Sequence, residues 1–390
     1  MLSYPLSNAL PRRIRVLLLG LPLILLLALA VSGAAAQAEF PAAAQGGNTG
    51  KVYVMTNDAA GNAVQVFARA NDGSLTPAGT YPTGGLGSGG GLGSQGALVL
   101  SHNGRYLFVV NAGSNEISSF RVRGDELVWA DTVWSNGEKP ISLTFDGRRL
   151  FVLNAGGSGN VTGFKVQPNG AIVPIPGATQ YLSNGGVGAA PGPAQVSFTP
   201  NGQQLIVAEK GSNQLITYNV TNDGLDPGVA HASNGQTPFG FDFARRNILI
   251  VSEAFGGAPN ASAVSSYNAG QGTLDTITAS AATQQTAACW VVVTGNGRYA
   301  YTTNTGSGSV TGYAVDRAGN LMLLDADGRT GITGDGSTPI DAALSGHSNY
   351  LYVLNAGASS ISAFAVQRDG SLTHLGDTPV VAGSIGIAAR

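Results

Sequence analysis

The segment Tyr350-Leu-Tyr-Val-Leu-Asn355, followed by a Gly/Ser turn and then by Ile361-Ser-Ala-Phe-Ala-Val366, decides the fold class. Apolar residues alternate with small or polar residues along the second stretch with a period of two, which is the period of a β-strand and not of a helix. The first stretch is a short apolar run that ends in Asn, a residue that favours turns. The segment therefore predicts two consecutive β-strands.

This pair of strands recurs along the chain. Each copy follows a turn such as Asn-Gly-Arg, and its first strand ends in Asn or Glu. The strands that open the seven pairs, each the second strand of its repeat, are Val52–Asn57, Tyr106–Asn111, Leu150–Asn154, Leu205–Glu209, Ile248–Glu253, Tyr299–Asn304 and Tyr350–Asn355. A weaker strand follows several of the pairs, and another begins near a Pro, as in Pro140-Ile-Ser-Leu-Thr-Phe145. Four strands in a repeat of roughly 40 to 55 residues predict an all-β, seven-bladed β-propeller with four-stranded blades.

The two ends of the repeat region predict how the ring closes. The region starts near Val52 on the second strand of a blade and stops on an inner strand, Ser384-Ile-Gly-Ile-Ala-Ala-Arg390. We therefore expect the C-terminal strand to pair into the N-terminal blade, which removes an open sheet edge. The predicted propeller spans residues 51–390, and residues 37–50, rich in Ala, Gly and Gln, are predicted to be a flexible leader.

Residues 1–36 have the features of a signal peptide. Three arginines between residues 12 and 15 precede the apolar run Val16–Val31, and Ala34-Ala35-Ala36 supplies small residues for cleavage. The run has 16 residues, whereas a spanning helix needs about 20. We predict cleavage, a secreted or periplasmic location and no membrane contact afterwards. Retention of the segment as an N-terminal anchor is the alternative.

Composition narrows the classes of function. Only 11% of residues are charged and the net charge is −2, so a nucleic-acid partner, which needs a strong positive field, is not expected. Cys289 is the single cysteine, and the four histidines are scattered, which argues against a zinc site. We expect no metal and no cofactor, since nothing in the sequence supports a channel cation such as Ca²⁺. We also expect a monomer.

The repeats resemble those of a known family. Asp146-Gly147-Arg148 with Phe151-Val-Leu-Asn154, and also Tyr350–Asn355, resemble the YVTN-type propeller repeat. Gly192-Pro-Ala-Gln-Val-Ser-Phe-Thr-Pro-Asn-Gly202 resembles a segment of the seven-bladed lactonase family, which includes 6-phosphogluconolactonases and a fungal carboxymuconate cyclase. The resemblance covers about residues 51–390 and implies the hydrolysis of a lactone.

The chain departs from this family at positions that carry chemical groups. Family members typically have Arg-His directly after the Gly-Pro, where this chain has Ala194-Gln195, and a Glu just after the Asn that ends the next strand. Here Glu209 holds the Asn position and Lys210 the Glu position. Because one step along a strand turns a side chain to the opposite face, the family's chemistry does not transfer to these residues directly.

Two carboxylates are the predicted catalytic residues. Glu209 and Glu253 replace Asn at the ends of the second strands in adjacent blades, on the face that also carries the loops into the inner strands. Paired carboxylates can share a proton, bind a cation or act as a general base. The alternative is a solvated pair without a role.

Four further residues are predicted to bind substrate. Gln195 and Asp341 each lie two residues after a Pro that begins an inner strand, and we expect them to line the channel. Asp341 could instead accept hydrogen bonds from backbone N–H groups. Lys139 and Lys210 lie next to the predicted channel mouth. Either lysine could bind an anionic group, although Lys210 could also simply neutralise Glu209.

Two functions from different classes remain. The first is an exported lactone hydrolase acting on a sugar or other lactone, in which a carboxylate activates water and a lysine or backbone donors stabilise the oxyanion. The second is a non-catalytic propeller that binds a small ligand, a glycan or a protein at the same face, since propellers support unrelated functions. Two Gly-rich connections, residues 84–95 and 181–191, are predicted to lie over the channel mouth.

Overall fold

The computed structural model describes residues 50–222 and 224–390, and within them the chain forms seven antiparallel sheets arranged as blades. The signal peptide predicted for residues 1–36 and nearly all of the leader predicted for residues 37–50 lie outside the described residues. None of the helices in the described part of the chain has the length and apolar character that a membrane span requires.

The strands of each blade follow one another from the channel outwards. Blade 1 contains β29 (Ile385–Ala389), β1 (Gly50–Met55), β2 (Ala63–Arg69) and β3 (Leu75–Pro82). Blade 2 contains β4 (Leu98–Leu100), β5 (Tyr106–Asn111), β6 (Glu116–Arg123) and β7 (Glu126–Trp134). Blade 3 contains β8 (Pro140–Phe145), β9 (Arg149–Asn154), β10 (Asn160–Val166) and β11 (Ile172–Tyr181). Blade 4 contains β12 (Pro193–Phe198), β13 (Gln204–Glu209), β14 (Gln214–Asn219) and β15 (Val229–Ala232).

The last three blades have the same order. Blade 5 contains β16 (Pro238–Ala244), β17 (Ile248–Glu253), β18 (Ala263–Ala269) and β19 (Leu274–Ala282). Blade 6 contains β20 (Ala288–Val293), β21 (Tyr299–Asn304), β22 (Ser309–Val315) and an outer edge divided between β23 (Leu321–Leu323) and β24 (Gly331–Ile332). Blade 7 contains β25 (Pro339–Leu344), β26 (Tyr350–Asn355), β27 (Ser360–Val366) and β28 (Leu372–Pro379). Short 3₁₀ turns occur at Arg245–Asn247 and Phe255–Gly257.

The predicted seven-bladed propeller and its closure are confirmed. β29 pairs antiparallel with β1, so that Val52 lies opposite Ala389 and Tyr53 opposite Ala388. The C-terminal strand thus completes the N-terminal blade, and the hydrogen bonds of the sheet join the two ends of the ring.

Tyrosines in the second strands of blades 6 and 7 bond to the next blade of the ring. Tyr352 Oη donates to Gly73 O at 2.9 Å across the junction between blades 7 and 1, and Tyr301 Oη donates to Gly370 O at 2.8 Å between blades 6 and 7. The Tyr350 ring lies so close to Gly73 that a Cβ there would be 2.5 Å from it, and Gly73 has φ +89°. The Asp72-Gly73 turn therefore needs glycine because the neighbouring blade packs directly on it.

The core lies between the blades. All six residues of β17 are buried, and so are all six of β13. Both faces of these central strands pack against neighbouring sheets, which explains their near-continuous apolar sequence. Each large apolar side chain buried in this way stabilises the fold by about 1.5–3 kcal/mol.

Candidate functional site

The seven inner strands surround a channel of about 300 Å³. Its polar wall includes Gln195 on β12, Asp242 on β16 and Asp341 on β25. Gln195 exchanges two hydrogen bonds with the backbone of Phe241, at 2.7 and 2.9 Å. Because the inner strands are not paired with each other as one sheet, such side chains connect one blade to the next.

The two channel carboxylates, Asp242 and Asp341, also form hydrogen bonds that connect neighbouring blades. Asp242 Oδ2 accepts from the N–H of Val293 at 2.7 Å, which joins blades 5 and 6. Asp341 Oδ1 accepts from the N–H of Ala342 at 2.8 Å, and Oδ2 from the N–H of Ile387 at 3.3 Å. The backbone-bonding alternative for Asp341 is therefore what the geometry shows.

Burial changes the proton affinity of both groups. Desolvation raises the pKa of Asp341 to about 8 and that of Asp242 to about 6, and the backbone hydrogen bonds offset only part of this. At neutral pH the Asp341 carboxyl is therefore protonated in most molecules, whereas the Asp242 carboxyl is ionised in most molecules.

Residues 83–97, here called the capping loop, close one end of the channel. Gln95 Nε2 donates to Val291 O at 2.7 Å, and the N–H of Val291 donates to Gln95 Oε1 at 3.0 Å. The N–H of Gln95 donates to Ala194 O at 3.1 Å, and Ser94 Oγ donates to Ile141 O at 2.8 Å. The loop that precedes blade 2 is thereby bonded to blades 3, 4 and 6.

The capping loop also contacts blades 1 and 5. Asn57 Nδ2 donates to Gly90 O at 2.8 Å, and the N–H of Ser88 donates to Asn57 Oδ1 at 2.9 Å. A Cβ on Gly240 would collide with Gln95 Oε1, so the absence of a side chain there makes room for Gln95. The prediction that residues 84–95 lie over the channel mouth is confirmed, and their bonds hold them in place.

A second, smaller cavity of about 170 Å³, here called the mouth cavity, lies between the capping loop and the first residues of three inner strands. Leu92, Ser94, Trp290 and Ile340 are among the residues that line it. Trp290 Nε1 donates to Ser94 O at 2.9 Å, which fixes the indole against the loop. The cavity is mainly apolar, with backbone groups of the capping loop on one side.

Lys210 lies beside this cavity. Its ammonium donates to the carbonyl oxygen of Gly93, a residue of the cavity wall, and lies 4.6 Å from the centre of the Phe239 ring. Burial lowers the pKa of Lys210 to about 8; the nearby Cys289 thiol opposes this shift, and the charge of Lys139 adds to it. A partly desolvated cation beside an apolar cavity is suited to stabilising negative charge.

Lys139 lies on the same rim but is exposed. Its backbone has φ +53°, and its N–H donates to Asn115 Oδ1 at 2.7 Å. The turn thus holds the backbone of Lys139, while its side chain faces solvent.

The carboxylate of Glu209 is buried and fully bonded. Oε1 accepts from the N–H of Ser183 at 2.9 Å, and Oε2 accepts from Ser183 Oγ at 2.5 Å and Ser212 Oγ at 2.7 Å. The side chain is 0% exposed. Glu209 therefore fixes the connection between blades 3 and 4.

Glu253 has the corresponding place in the next blade. Oε1 accepts from the N–H of Gly235 at 2.9 Å and from Ser265 Oγ at 2.5 Å, and Oε2 accepts from Ser280 Oγ at 2.7 Å. It too is 0% exposed. The two glutamates share no hydrogen-bond partner among the described residues, and neither lines a described cavity, so the expected solvated or proton-sharing pair is not what the geometry shows.

The predicted site residues consequently separate into three groups. Gln195 and Asp341 lie in the channel wall, Lys139 and Lys210 lie at the mouth, and Glu209 and Glu253 are buried among the blade connections. The roles assigned to them from sequence stay predictions. Of the six, Lys210 donates a hydrogen bond to Gly93, a residue of the mouth-cavity wall.

Sequence reasoning missed Asp242, Gln95 and Trp290 as site residues. Asp242 follows Pro238 by four residues, and the position two after this Pro is Gly240. β16 has the same pairing shift after its Pro as β12 and β25, so Asp242 lies on the same strand face as Gly240, two residues beyond the position at which a channel residue was expected. Gln95 carried no signal of its own, since no local pattern shows where a Gly-rich loop will dock.

No cluster of three or more His, Cys, Asp or Glu suited to a metal ion occurs within residues 50–222 and 224–390.

The fold and the channel define the class as a seven-bladed propeller whose polar channel is closed at one end by a loop. The chain belongs to the lactonase family: the sequence model described as Lactonase, 7-bladed beta-propeller, matches residues 48–181 and 268–384. No curated protein matches the sequence.

Solved structures show the same fold at low sequence identity. A candidate 6-phosphogluconolactonase from Bacteroides fragilis is 20% identical with a TM-score of 0.69, and the alignment covers 89% of this chain and 99% of the other. A periplasmic gluconolactonase from Pseudomonas aeruginosa is 19% identical with a TM-score of 0.66, over 87% and 98% of the two chains. At sequence identities this low, the similarity shows a shared fold and carries no further statement about this chain.

Proposed function

We propose that this protein is an exported lactonase that hydrolyses a small lactone at the mouth of its central channel. Membership of the lactonase family supports the reaction class. The sequence features of residues 1–36 support export. The observation that carries the proposal is the partly desolvated Lys210 ammonium, which donates to the carbonyl oxygen of Gly93 in the wall of the mouth cavity.

In this reaction water adds to the lactone carbonyl carbon, and negative charge develops on the carbonyl oxygen. The Lys210 ammonium stabilises that charge, and Lys139 adds a second positive charge on the rim. The ring C–O bond then breaks, and the product is the open-chain hydroxy acid. The buried and bonded Glu209 and Glu253 serve this reaction by holding the blade connections, and their predicted role as general bases is the less favoured assignment.

The size of the mouth cavity limits the substrate. Its volume of about 170 Å³ is below the roughly 300–1,000 Å³ typical of ligand pockets. A single lactone ring is therefore the preferred substrate class, and a larger sugar lactone requires displacement of the capping loop.

The capping loop supports the second candidate function, a non-catalytic propeller. A capping loop that is hydrogen-bonded to four other blades and contacts a fifth leaves little room for a substrate at the mouth. In that case the propeller binds its ligand without converting it.

A panel of aliphatic and sugar lactones distinguishes the two functions. We expect the purified protein to release acid from at least one lactone, as followed by pH-stat titration. Lys210→Met should lower kcat/KM about 10²-fold or more, and Lys165→Met, which removes an exposed lysine from β10, should leave it unchanged. Absence of turnover on every lactone would favour the binding function.

A further inference from the structure

An arginine-rich cleft lies on the face opposite the channel mouth, between blades 5 and 6. Its volume is about 540 Å³, within the range of small-molecule sites. It contains four of the chain's 20 Lys and Arg residues: Arg245, Arg246, Arg298 and Arg317. The geometry points to a binding site here for a small molecule that carries two or more phosphate or carboxylate groups, independent of lactone hydrolysis.

Neighbouring side chains offset only part of the positive charge of the cleft, whose described lining has four arginines and one carboxylate. None of the four arginines forms an ion pair with a described residue. Asp316 is the one carboxylate in the described lining, and its oxygens accept from the N–H groups of Ala318 and Asn320 and from Asn320 Nδ2, all within 2.9 Å. Asp316 is thus committed to its own turn.

The turn that presents two of these arginines has an unfavourable backbone conformation. Arg246 has φ +61° and ψ +37°, and Asn247 has φ +59°. Two consecutive residues in this left-handed region are typical of a hairpin turn that prefers Asn-Gly. An arginine with its Cβ is disfavoured at the first position. Strain of this kind often marks a functional position.

In blades 2, 3, 4 and 6 the equivalent turn has a glycine at its left-handed position, whereas blade 7 has Ser348 there with φ +56°. In blade 2, Ser101 Oγ accepts from the N–H groups of Arg105 and Tyr106, and Gly104 holds the left-handed position. In blade 6, Thr294 Oγ1 accepts from the N–H of Tyr299 in the same manner. Blade 5 has Ala244 at this place and no side-chain cap. Blade 5 thus lacks the side-chain cap of these turns and has Arg245 and Arg246 in its turn, which places two guanidinium groups at the cleft.

The chemistry of guanidinium groups specifies the ligand. Each one presents a planar set of donors that matches phosphate and carboxylate oxygens in pairs. Several such groups around one cleft fit a ligand with more than one anionic group. All four arginines are exposed, so their donors are accessible to such a ligand.

Calorimetric titration of the whole protein with tripolyphosphate and with citrate tests the site. We expect at least one anion to bind in low salt and to bind more weakly as salt is added. The double variant Arg245→Gln, Arg246→Gln should weaken this binding about tenfold or more. Comparison of the two anions separates a phosphate ligand from a carboxylate ligand.

A matched variant separates a specific site from general charge. Arg105→Gln, Arg148→Gln removes the same charge from exposed turns on the same face, in blades 2 and 3, and should leave binding unchanged within about twofold. Arg246→Gly should raise the thermal midpoint, because glycine accepts the left-handed conformation, while it weakens binding. Failure of both anions to bind the unaltered protein, or equal loss in the two double variants, would overturn the proposal.

Discussion

Gln95 and Val291 are joined across the channel by two hydrogen bonds, although 196 residues separate them in sequence. The side-chain amide of Gln95 acts as an additional strand would, since it accepts from the N–H of Val291 and donates to the carbonyl oxygen. This pair fastens the capping loop to blade 6 and divides the channel from the mouth cavity. Whether the capping loop stays docked over the channel therefore depends on Gln95.

Replacement of Gln95 by alanine should release the capping loop. The substitution leaves the buried N–H and carbonyl groups of Val291 without their partner, which costs about 1–3 kcal/mol of the free energy of unfolding. Hydrogen exchange measured by mass spectrometry should show faster exchange in residues 84–97. Gln271→Ala, at an exposed glutamine, serves as control and should change neither quantity. Unchanged exchange in Gln95→Ala would show that the other bonds suffice to hold the loop.

Replacement of Glu209 by glutamine tests whether this carboxylate is structural. Its two oxygens accept three hydrogen bonds, and an amide group replaces one acceptor by a donor. We expect the free energy of unfolding to fall by about 1–3 kcal/mol, with turnover per folded molecule unchanged. Glu126→Gln, at an exposed strand position, should be neutral. A loss of turnover at unchanged stability would instead support the general-base prediction.

Asp341 should make the stability of the protein depend on pH. Its pKa is about 8 in the folded protein and about 3.9 in an unfolded chain. Between these values folding takes up a proton, so the contribution of Asp341 is fully present below about pH 4 and is lost as the pH rises through about 8. Asp341→Asn does not titrate, and its free energy of unfolding should fall less between pH 5 and pH 8, by an amount on the order of 4 kcal/mol.

Denaturant titrations at several pH values measure this difference. Asp242, with a pKa of about 6, contributes a similar dependence at lower pH, so the comparison is between the unaltered protein and the variant. Asp275→Asn, at an exposed carboxylate on β19, provides the control. Parallel pH profiles for the unaltered protein and Asp341→Asn would contradict the raised pKa.

Alanine substitutions at two glycines with similar backbone conformations distinguish the cost of backbone strain from the cost of steric contact. Gly73 has φ +89° and a Cβ there would lie 2.5 Å from the Tyr350 ring, whereas Gly147 has φ +99° and open space around it. Gly147→Ala should cost about 1 kcal/mol through backbone strain alone. Gly73→Ala should cost about 1–3 kcal/mol more, because it disturbs the junction that closes the ring. Equal melting temperatures for the two variants would show that the junction adapts to the added methyl group.

The fold was predictable because its repeats are local. Period-two alternation and the terminal Asn or Glu located the second strands, and the pairing of Pro140 with Asn154 and of Pro193 with Glu209 shows that these positions correspond between blades. The closing strand was predictable for the same reason. Each blade repeats the signal, so a weak pattern in one copy is supported by the others.

The site was less predictable because its contacts are not local. Gln195 and Asp341 could be placed in the channel from their distance to a Pro, but Asp242 lies two residues further along its strand than that rule reaches. The burial of Glu209 depends on Ser183, a residue in the connection from the preceding blade. The closing of the channel by Gln95 depends on a strand in blade 6. Such pairings leave no periodic trace in the sequence.

The pH dependence of lactone hydrolysis tests the central claim, that Lys210 acts as a cation at the channel mouth. With the uncatalysed rate subtracted, kcat/KM of the unaltered protein should fall as the pH rises through about 8, because Lys210, with its pKa of about 8, loses its charge there. Lys210→Met should have a low value of kcat/KM without this fall. A profile for Lys210→Met that matches the unaltered protein in height and shape would contradict the claim.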